Sequence, residues 1–442
     1  MDIRSQYEKI ARCNRCGFCQ AACPVFRATG HESGVARGRI ALLKALVENR
    51  LPWDEGLKEP LFDCLSCGAC TANCFPAVAT ADLILDARAE YLDRVGRNHL
   101  HRLLFRRLLP YPRRLRLAAR AAAVAHRTGL SRLAAMLGLL RAFGRDAARA
   151  QQVVDRFPSR AFREKFPPGV FEGHGDRRIG YFVGCGTDVM EPQAAEATLN
   201  ALRRYGKTIE VLDNACCGLP AITYGDRPAA QALAERNLRL IDAGRFDLVV
   251  TDCSSCAAFL KRYPELFDTR DVRSAAARAL AERVRDLVQI LALDGRAADP
   301  ARDGTIIATY HDPCHASRGQ GLVREPRELL RSLPGVEFRE MPEADWCCGG
   351  AGSYALAHYD LAIQILRRKI ANVERTGANL LVTSCPACVV HLRFGVRQRG
   401  LPVRVCHIAE LVAEVGAAAR DASGAKAGGF QHTSPSNEEV VP

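Results

Sequence analysis

The sequence lacks any long apolar run. No stretch reaches the roughly 18 uninterrupted apolar residues that a membrane-spanning helix needs. The first residues, MDIRSQYEKI, also lack the apolar segment and the small-residue cleavage site of a secretory signal. We therefore expect a cytoplasmic protein that is not integral to a membrane. Peripheral contact with the inner face of the cytoplasmic membrane stays open.

The common nucleotide-binding and nucleophile motifs are also absent. The chain has no GxGxxG between a strand and a helix, no P-loop and no Ser-His-Asp arrangement. Flavin, nicotinamide and ATP therefore have no recognisable site. We assign no catalytic residue, and we do not expect this chain to oxidise an organic substrate alone.

Acidic residues are scarce in one window. Residues 97–149 contain thirteen arginines, no lysine and a single acidic residue, Asp146, in a chain whose formal net charge is +13. Leucines recur among the arginines at helical spacing until Pro110 and Pro112 end the pattern; these are Leu100, Leu103, Leu104 and Leu108. The spacing returns after the prolines at Leu130, Leu133, Leu137 and Leu140. The two stripes predict amphipathic helices. The window is interpreted as a solvated basic face, a helix on anionic lipid, or a docking site for an acidic partner. No aromatic platform accompanies it, so nucleic acid is not expected as a partner.

Cysteine, in contrast, is abundant. A reducing compartment keeps thiols reduced, so nineteen cysteines indicate metal binding or redox chemistry. Their distribution predicts a cluster-binding domain at 1–95 with eight cysteines and a cysteine-free helical linker at 96–176. Two copies of one module follow at 177–295 and 304–416. The small and polar residues 417–442 are expected to be a disordered tail.

The eight N-terminal cysteines form two runs with ferredoxin spacing, CxxCxxCxxxC. In this motif the fourth cysteine of each run ligates the other cluster. We therefore expect two [4Fe-4S] cubanes. One lies on Cys13, Cys16, Cys19 and Cys74, and the other on Cys64, Cys67, Cys70 and Cys23. Zinc is the weaker alternative, because zinc sites usually pair two CxxC knuckles across a longer gap.

The two copies each carry a five-cysteine set of the form C…CCG…CxxC. The first set is Cys185, Cys216, Cys217, Cys253 and Cys256, and the second is Cys314, Cys347, Cys348, Cys385 and Cys388. We name them the first and the second CCG site. Five converging thiols exceed what one zinc or one cubane needs, so a larger or irregular iron-sulfur cluster fits better. Buried free cysteines would not explain the same five positions occurring twice.

Within each copy, short apolar strands alternate with longer helical stretches, and the cysteines follow the strands. This pattern predicts a parallel α/β sheet with the thiols at the carboxyl ends of the strands, where open sheets bind ligands. The expected fold is a helical dicluster ferredoxin domain followed by two duplicated α/β CCG domains.

The order of these motifs resembles the glycolate oxidase iron-sulfur subunit family. The stretches GVARGRIALLKALVE and EADWCCGGAGSYALAHYDLA support it. The iron-sulfur subunits of anaerobic glycerol-3-phosphate dehydrogenase and of lactate utilisation are also similar. The CCG module is shared with heterodisulfide reductase, and that likeness implies a noncubane [4Fe-4S] cluster in one or both modules.

The resemblance implies an electron-transfer subunit of a 2-hydroxy-acid dehydrogenase. Electrons would come from an FAD-containing subunit that oxidises glycolate or lactate, and would leave to a quinone or another carrier. The alternatives are direct reduction of a disulfide or quinone at a CCG cluster, or the iron-sulfur subunit of an anaerobic glycerol-3-phosphate dehydrogenase. A redox-sensing or purely structural cluster protein is a third hypothesis.

A few other residues stand close to the motifs. His311 and His315 flank Cys314, and His391 follows Cys388; each either tunes a cluster or makes ordinary hydrogen bonds. The glycines Gly349, Gly350 and Gly352 either bring backbone amides near the second CCG site or form a helix-entry turn. Cys406 has no counterpart in the first copy and is expected to be a buried thiol.

Overall fold

The computed structural model describes residues 3–97, 99–140, 146–154, 158–294, 306–352 and 354–423. Residues 3–95 form a helical domain around two cysteine loops. Its α-helices are α1 (Tyr7–Ala11), α2 (Phe18–Ala22), α3 (Pro24–Thr29), α4 (Ala36–Val47), α5 (Lys58–Phe62), α6 (Ala69–Ala72) and α7 (Thr80–Arg94). Helix α4 buries Ile40, Leu43 and Leu46 along one face. They pack in one core with Ile84 and Tyr91 of α7, so α4 and α7 frame the domain.

The arginine-rich window forms short helices. These are α8 (His99–Leu103), a π-helical turn (Leu104–Leu108), α9 (Pro112–Arg127), α10 (Leu130–Met136) and α11 (Ala147–Ala150). In the first leucine stripe Leu103 is exposed, whereas Leu104 packs against the core of the first copy beside the buried Phe105 and Leu109. In the second stripe Leu130, Leu133 and Leu137 are exposed. The apolar side chains of this window therefore mostly face solvent.

The first copy is built on a five-stranded sheet. After α12 (Phe162–Lys165) the strands and helices are β1 (Gly169–Glu172), β2 (Arg177–Tyr181), α13 (Cys185–Met190), α14 (Pro192–Leu202), β3 (Gly206–Val211), α15 (Leu219–Thr223), α16 (Arg227–Leu240), β4 (Leu248–Thr251), α17 (Ser254–Lys261), α18 (Val272–Arg283), β5 (Val284–Asp286) and α19 (Leu287–Leu291). The strand order is β1-β3-β2-β4-β5. Only β1 is antiparallel, with Gly169 opposite Val211.

The second copy repeats this architecture without β1. Its elements are β6 (Ile306–Tyr310), α20 (Cys314–Gln320), α21 (Arg324–Ser332), β7 (Val336–Phe338), α22 (Tyr354–Ala357), α23 (Tyr359–Thr376), β8 (Leu380–Thr383), α24 (Pro386–Arg399), β9 (Arg404–His407) and α25 (Ile408–Ser423). The order β7-β6-β8-β9 is fully parallel and matches β3-β2-β4-β5. Duplicated, mainly parallel α/β domains are therefore confirmed.

The two copies share one apolar core. Tyr181 on β2 and Tyr310 on β6 occupy equivalent positions and are both fully buried in it. The last helix of each copy packs on the other copy: α25 on α14, and α19 on α21. Helices that follow the cysteines also exchange contacts, α13 with α24 and α17 with α20. The copies are thus related by an approximate two-fold arrangement.

The C-terminal boundary differs from our expectation. We placed the start of a disordered tail at residue 417, but helix α25 runs on to Ser423. The rest of that predicted tail, 424–442, lies outside the described residues.

Candidate iron-sulfur sites

The cysteines of both CCG sites follow strand ends, as predicted. Cys185 begins α13 just after β2, and Cys314 begins α20 just after β6. Cys253 and Cys385 stand directly before α17 and α24, just after β4 and β8. Parallel strands of a sheet end at one edge, so these thiols converge there.

The two N-terminal loops have the same backbone conformation. In the first run Arg15 and Gly17 have positive φ angles of 54° and 88°, and in the second Ser66 and Gly68 have 51° and 71°. The Ser66 amide donates to the Cys64 sulfur at 3.4 Å. Backbone amides that point at cysteine sulfurs are typical of iron-sulfur loops, because they stabilise the negatively charged cluster.

The thiols of the two N-terminal runs lie close to one another, and the exchange of their fourth cysteines stays a prediction. Cys23 also lies near Cys19 of its own run. Cys23 of the first run lies near Cys64 and Cys67 of the second, and Cys70 lies near Cys23. Cys13, Cys64 and Cys74 all border the apolar core of the N-terminal domain.

In the first CCG site the thiols lie close to one another. The Cys185 and Cys216 sulfurs are 3.6 Å apart, which is contact without a disulfide. The carbonyls of Cys216 and Cys217 accept hydrogen bonds from Asn237 and Tyr263 at 3.0 and 2.7 Å. Contacts with the thiols of Cys216 and Cys256 lower the pKa of Cys217 to about 5, although burial opposes this shift. Free thiols that lie this close together are the ligands that iron-sulfur clusters use.

The second CCG site has a similar arrangement. The sulfurs of Cys348 and Cys388 are 3.6 Å apart, and the Gly349 amide donates to the Cys347 sulfur at 3.4 Å. Contacts with the thiols of Cys347 and Cys388 lower the pKa of Cys348 well below its usual value. The pKa of Cys217, its counterpart in the first site, is lowered in the same way. Reduced, converging thiols in both copies fit iron-sulfur clusters as their ligands.

Three of the four predicted cluster sites adjoin one another. They are the site that includes Cys67, the second CCG site and the first CCG site. Contact with the Cys347 thiol is the largest cause that raises the pKa of Cys67, so the N-terminal domain touches the second CCG site there. Contact with the Cys253 thiol is the largest cause that lowers the pKa of Cys385, so the two CCG sites also touch. The Ser254 hydroxyl, 2.8 Å from that of Ser384, fixes this junction.

Three arginines beside this path were not predicted. Arg39 and Arg88 are buried, and the Arg88 guanidinium donates to the carbonyls of Leu61 and Cys64. Arg318 donates to the Cys67 carbonyl at 3.4 Å. Buried positive charges offset the negative charge of a thiolate-bound cluster. No sequence signal marked them, because neither motif spacing nor composition shows that an arginine is buried.

The predicted histidines lie at the second CCG site or beside it. His311 and His391 are buried within it, whereas the Nδ1 of His315 is 3.0 Å from the Ser255 hydroxyl, which in turn is 3.5 Å from the Cys385 sulfur. Burial lowers the pKa of His315. Cys406 is buried on β9, as expected, and burial raises its pKa to about 12.

A cavity of about 480 Å³ opens between the N-terminal domain and both copies. Cys67 and Cys314 line it, together with His315 and the apolar side chains of Leu219 and Phe259. Its volume is within the range of small-molecule sites. We expected that direct chemistry would need a pocket beside Cys347, Cys348, Cys385 and Cys388. This cavity reaches the second CCG site at Cys314 instead.

The arginine-rich window presents an apolar surface. Its exposed large side chains are Leu103, Tyr111, Leu117, Val124, Leu130, Leu133, Met136, Leu137 and Leu139. We name this set the linker patch. Among the helices of the described residues, none combines the length and apolarity needed to cross a bilayer.

Together, the helical domain with two cysteine loops and the duplicated thiol-bearing sheets define an iron-sulfur protein. Family models agree along the chain. The 4Fe-4S dicluster domain matches residues 9–77, and the linker region of the glycolate oxidase iron-sulfur subunit matches 96–154. The cysteine-rich domain matches twice, at 179–261 and 308–393.

Similar curated proteins agree with the family models. The probable glycolate oxidase iron-sulfur subunit of Bacillus subtilis is 32% identical over 92% of this chain and 94% of its own length. The glycolate oxidase iron-sulfur subunit of Escherichia coli is 29% identical over 87% of this chain and 89% of its own length. Lactate utilization protein A of Halalkalibacterium halodurans is 27% identical over 53% of this chain and 96% of its own length. The chain belongs to the glycolate oxidase iron-sulfur subunit family.

Proposed function

We propose that the chain carries electrons from a separate FAD-containing dehydrogenase of glycolate or lactate to a quinone or another carrier. The observation that supports this most is the series of adjoining thiol groups. Cys67 adjoins Cys347, and Cys385 adjoins Cys253. Two [4Fe-4S] cubanes would occupy the N-terminal loops in the crossed sets given above, and noncubane clusters would occupy the CCG sites. The clusters supply one-electron chemistry when bound.

Electrons arrive, in this proposal, at the cluster of Cys13, Cys16, Cys19 and Cys74. Cys16 is exposed, and the side chains of Phe18 and Phe75 beside it are 66% and 90% exposed. Exposed aromatic side chains are common at protein interfaces. We therefore place the flavoprotein on this face. Replacing both phenylalanines with alanine is expected to weaken partner binding, whereas Val272→Ala, at an 87% exposed site elsewhere, leaves it unchanged.

Electrons leave through the cavity beside Cys314. Its wall also carries the charged side chains of Lys9, Asp82, Asp86, Arg227, Arg262 and Glu265. The proposed position of a quinone ring is the apolar part of the wall, at Leu219 and Phe259, where His315 and Arg318 can donate hydrogen bonds to the ring oxygens. Leu219→Trp is expected to fill the cavity and to slow oxidation of the dithionite-reduced chain by a short-chain quinone. Leu240→Trp, at an exposed position of α16 outside the cavity, is the matched control.

The linker patch is the proposed contact with the membrane. Its leucines and methionine are interleaved with arginines, and basic amphipathic surfaces of this kind bind anionic lipid. Such a contact would bring the chain to a lipid-soluble acceptor.

A second candidate function also draws on the cavity. Because Cys314 lines it, a disulfide or quinone bound there would touch the second CCG site directly, as in a heterodisulfide reductase. Steady reduction of a disulfide by the isolated chain, with dithionite as the electron source, would favour this function. Failure of that reaction together with rapid oxidation by a quinone would favour the relay.

The deciding experiment is anaerobic purification of the tagged chain from its own host. We expect a flavoprotein in the eluate, and reduction of a quinone analogue with glycolate or lactate. Activity with glycerol-3-phosphate alone would assign a different partner. An iron-rich chain with neither flavin nor activity on these substrates would refute the proposal.

A further inference from the structure

The two CCG sites differ at two buried positions that contact the cluster thiols. Three residues before the first cysteine the first copy has Phe182, and the second copy has His311. Three residues after the last cysteine the first copy has Phe259, and the second copy has His391. All four side chains are buried, none more than 6% exposed. The duplicated fold therefore replaces two phenylalanines with two histidines around one of its sites.

The equivalence holds in the backbone as well. The Phe182 amide donates to the Val250 carbonyl at 2.8 Å, and the His311 amide donates to the Val382 carbonyl at 2.9 Å. Both bonds join the first strand of a copy to the strand that precedes its CxxC. The difference between the sites is thus in the side chains and not in a local change of fold.

The His391 ring has only one nitrogen engaged. Its Nδ1 lies 3.0 Å from the Cys348 carbonyl oxygen, which can only accept, so Nδ1 carries the proton. In the neutral ring Nε2 then holds a lone pair. That nitrogen is buried and has no hydrogen-bond partner among the described residues. A buried acceptor without a partner is unfavourable.

A histidine that donates Nδ1–H to a carbonyl and leaves Nε2 free has the usual arrangement of a metal ligand. The His391 side chain lies beside the Cys348 thiol. An iron atom held by Cys348 would satisfy both groups.

His311 lies beside the same thiol. One of its ring nitrogens and the sulfurs of Cys348 and Cys388 all lie within 4.8 Å of one another. Both ring nitrogens of His311 are buried without a hydrogen-bond partner in the described part of the chain. A neutral imidazole carries one N–H, which can donate to a cluster sulfur.

Space for the His391 ring comes from a further difference between the copies. Gly350 follows the second CCG, where the first copy has Leu219. A Cβ atom at residue 350 would lie 3.0 Å from the Cβ of His391. A larger side chain would therefore displace the imidazole, so glycine and histidine form a matched pair.

We infer that His391 is an iron ligand of the second CCG site and that His311 donates a hydrogen bond to a sulfur of the same cluster. The inference rests on the proposed cluster at that site. A neutral imidazole that takes the place of one of the five thiolates on iron, and a hydrogen bond to a cluster sulfur, each raise the reduction potential of an iron-sulfur cluster. The second site thus has a higher potential than the first and holds the electron beside the cavity.

Pulsed electron paramagnetic resonance of the reduced, full-length chain tests the ligand assignment with both histidines in place. Chain grown with ¹⁵N-histidine is compared with unlabelled chain, and the second-site signal is identified by its loss in Cys388→Ser. We expect a nitrogen coupling that changes with the label. A fully loaded second site with no histidine coupling would overturn the assignment of His391.

Variants that copy the first site test both residues. With His391→Phe we expect loss of the strong nitrogen coupling and a more negative second-site potential, and with His311→Phe a more negative potential with the coupling kept. His174→Phe, at an exposed position, is the control. Iron per chain is measured for each. If His391→Phe fails to load, His391→Gln is used, and an unchanged potential in a loaded variant would refute the role of that histidine.

These outcomes are separable from the proposed function. A chain whose second site never loads, with iron for fewer clusters than proposed, removes the basis of both. A loaded second site without a histidine signature refutes only the present inference. A histidine signature in a chain that transfers no electrons from a flavoprotein would refute only the proposed partner.

Discussion

Replacing Gly225 with alanine should loosen the joint between the ferredoxin domain and the first copy. Gly225 has a φ of +83°, and a Cβ atom there would lie 2.7 Å from the backbone carbon and oxygen of Arg88 on α7. In the same contact the Arg88 guanidinium donates a hydrogen bond to the Thr223 carbonyl of the first copy. The backbone of α7 cannot move away as the end of a flexible side chain would, so the two domains must separate slightly.

The expected cost has two parts. Left-handed backbone costs alanine about 1–2 kcal/mol, and forcing an extra carbon into a packed contact adds about 1–3 kcal/mol. Gly400 allows the conformational cost to be measured without the steric cost, because its φ is +69° and nothing lies within 4 Å of the Cβ position. Gly400→Ala is therefore expected to show the first cost alone.

Two measurements compare these variants. Chemical denaturation of the anaerobic, cluster-loaded chain, followed by cluster absorbance, gives the stability difference. Freeze-quench spectroscopy gives the rate at which the reduced N-terminal clusters pass electrons to the CCG sites. We expect Gly225→Ala to be the less stable of the two and to transfer electrons more slowly. Equal stability and equal rates in both variants would refute the steric argument.

Three other predictions concern separate parts of the molecule. Lys369 is fully buried and donates to two backbone carbonyls, so Lys369→Met should lower the free energy of unfolding by about 1–3 kcal/mol in thermal or urea denaturation. Burial lowers the pKa of this lysine to about 8 from 10.5; between these values the unfolded chain binds more protons, so its contribution to stability should rise with pH over that window and be absent in the variant. Cys23→Ser should remove the cluster of Cys64, Cys67 and Cys70, and Cys74→Ser the other; Mössbauer or paramagnetic resonance spectra that lose the opposite cluster would refute the crossed assignment. Met136→Glu should weaken binding to vesicles containing anionic lipid, and equal weakening by Val272→Glu, at a similarly exposed site, would contradict a specific role of the linker patch.

Cysteine spacing predicted much of the fold and of the candidate sites. Cluster ligands must lie at fixed separations on short loops, so motifs such as Cys13 to Cys23 are visible locally. The duplication was visible for the same reason, and it predicted the repeated parallel sheet. The positions of Cys185 and Cys314 after apolar runs predicted that their thiols lie at strand ends.

Long-range packing was not predictable in this way. The leucine spacing predicted amphipathic helices, but it did not show that Phe105 and Leu109 are the side chains of the window that are buried in the core of the first copy, with Leu104 packed beside them. Arg88 contacts Thr223, 135 residues away, and Arg318 contacts Cys67, 251 residues away. Such contacts depend on how domains meet, and no local pattern encodes that.

The exchange of closing helices between the two copies has a consequence for the origin of the protein. Helix α25 covers α14, and α19 covers α21, so a single copy would leave the face of its second helix bare. Two separate molecules of one copy would cover these faces by pairing about a two-fold axis, as symmetric dimers do. Joining the copies in one chain makes that pairing independent of concentration. It also frees the two halves to differ, which identical subunits cannot do. The histidines and phenylalanines that distinguish the two cluster sites are differences of this kind.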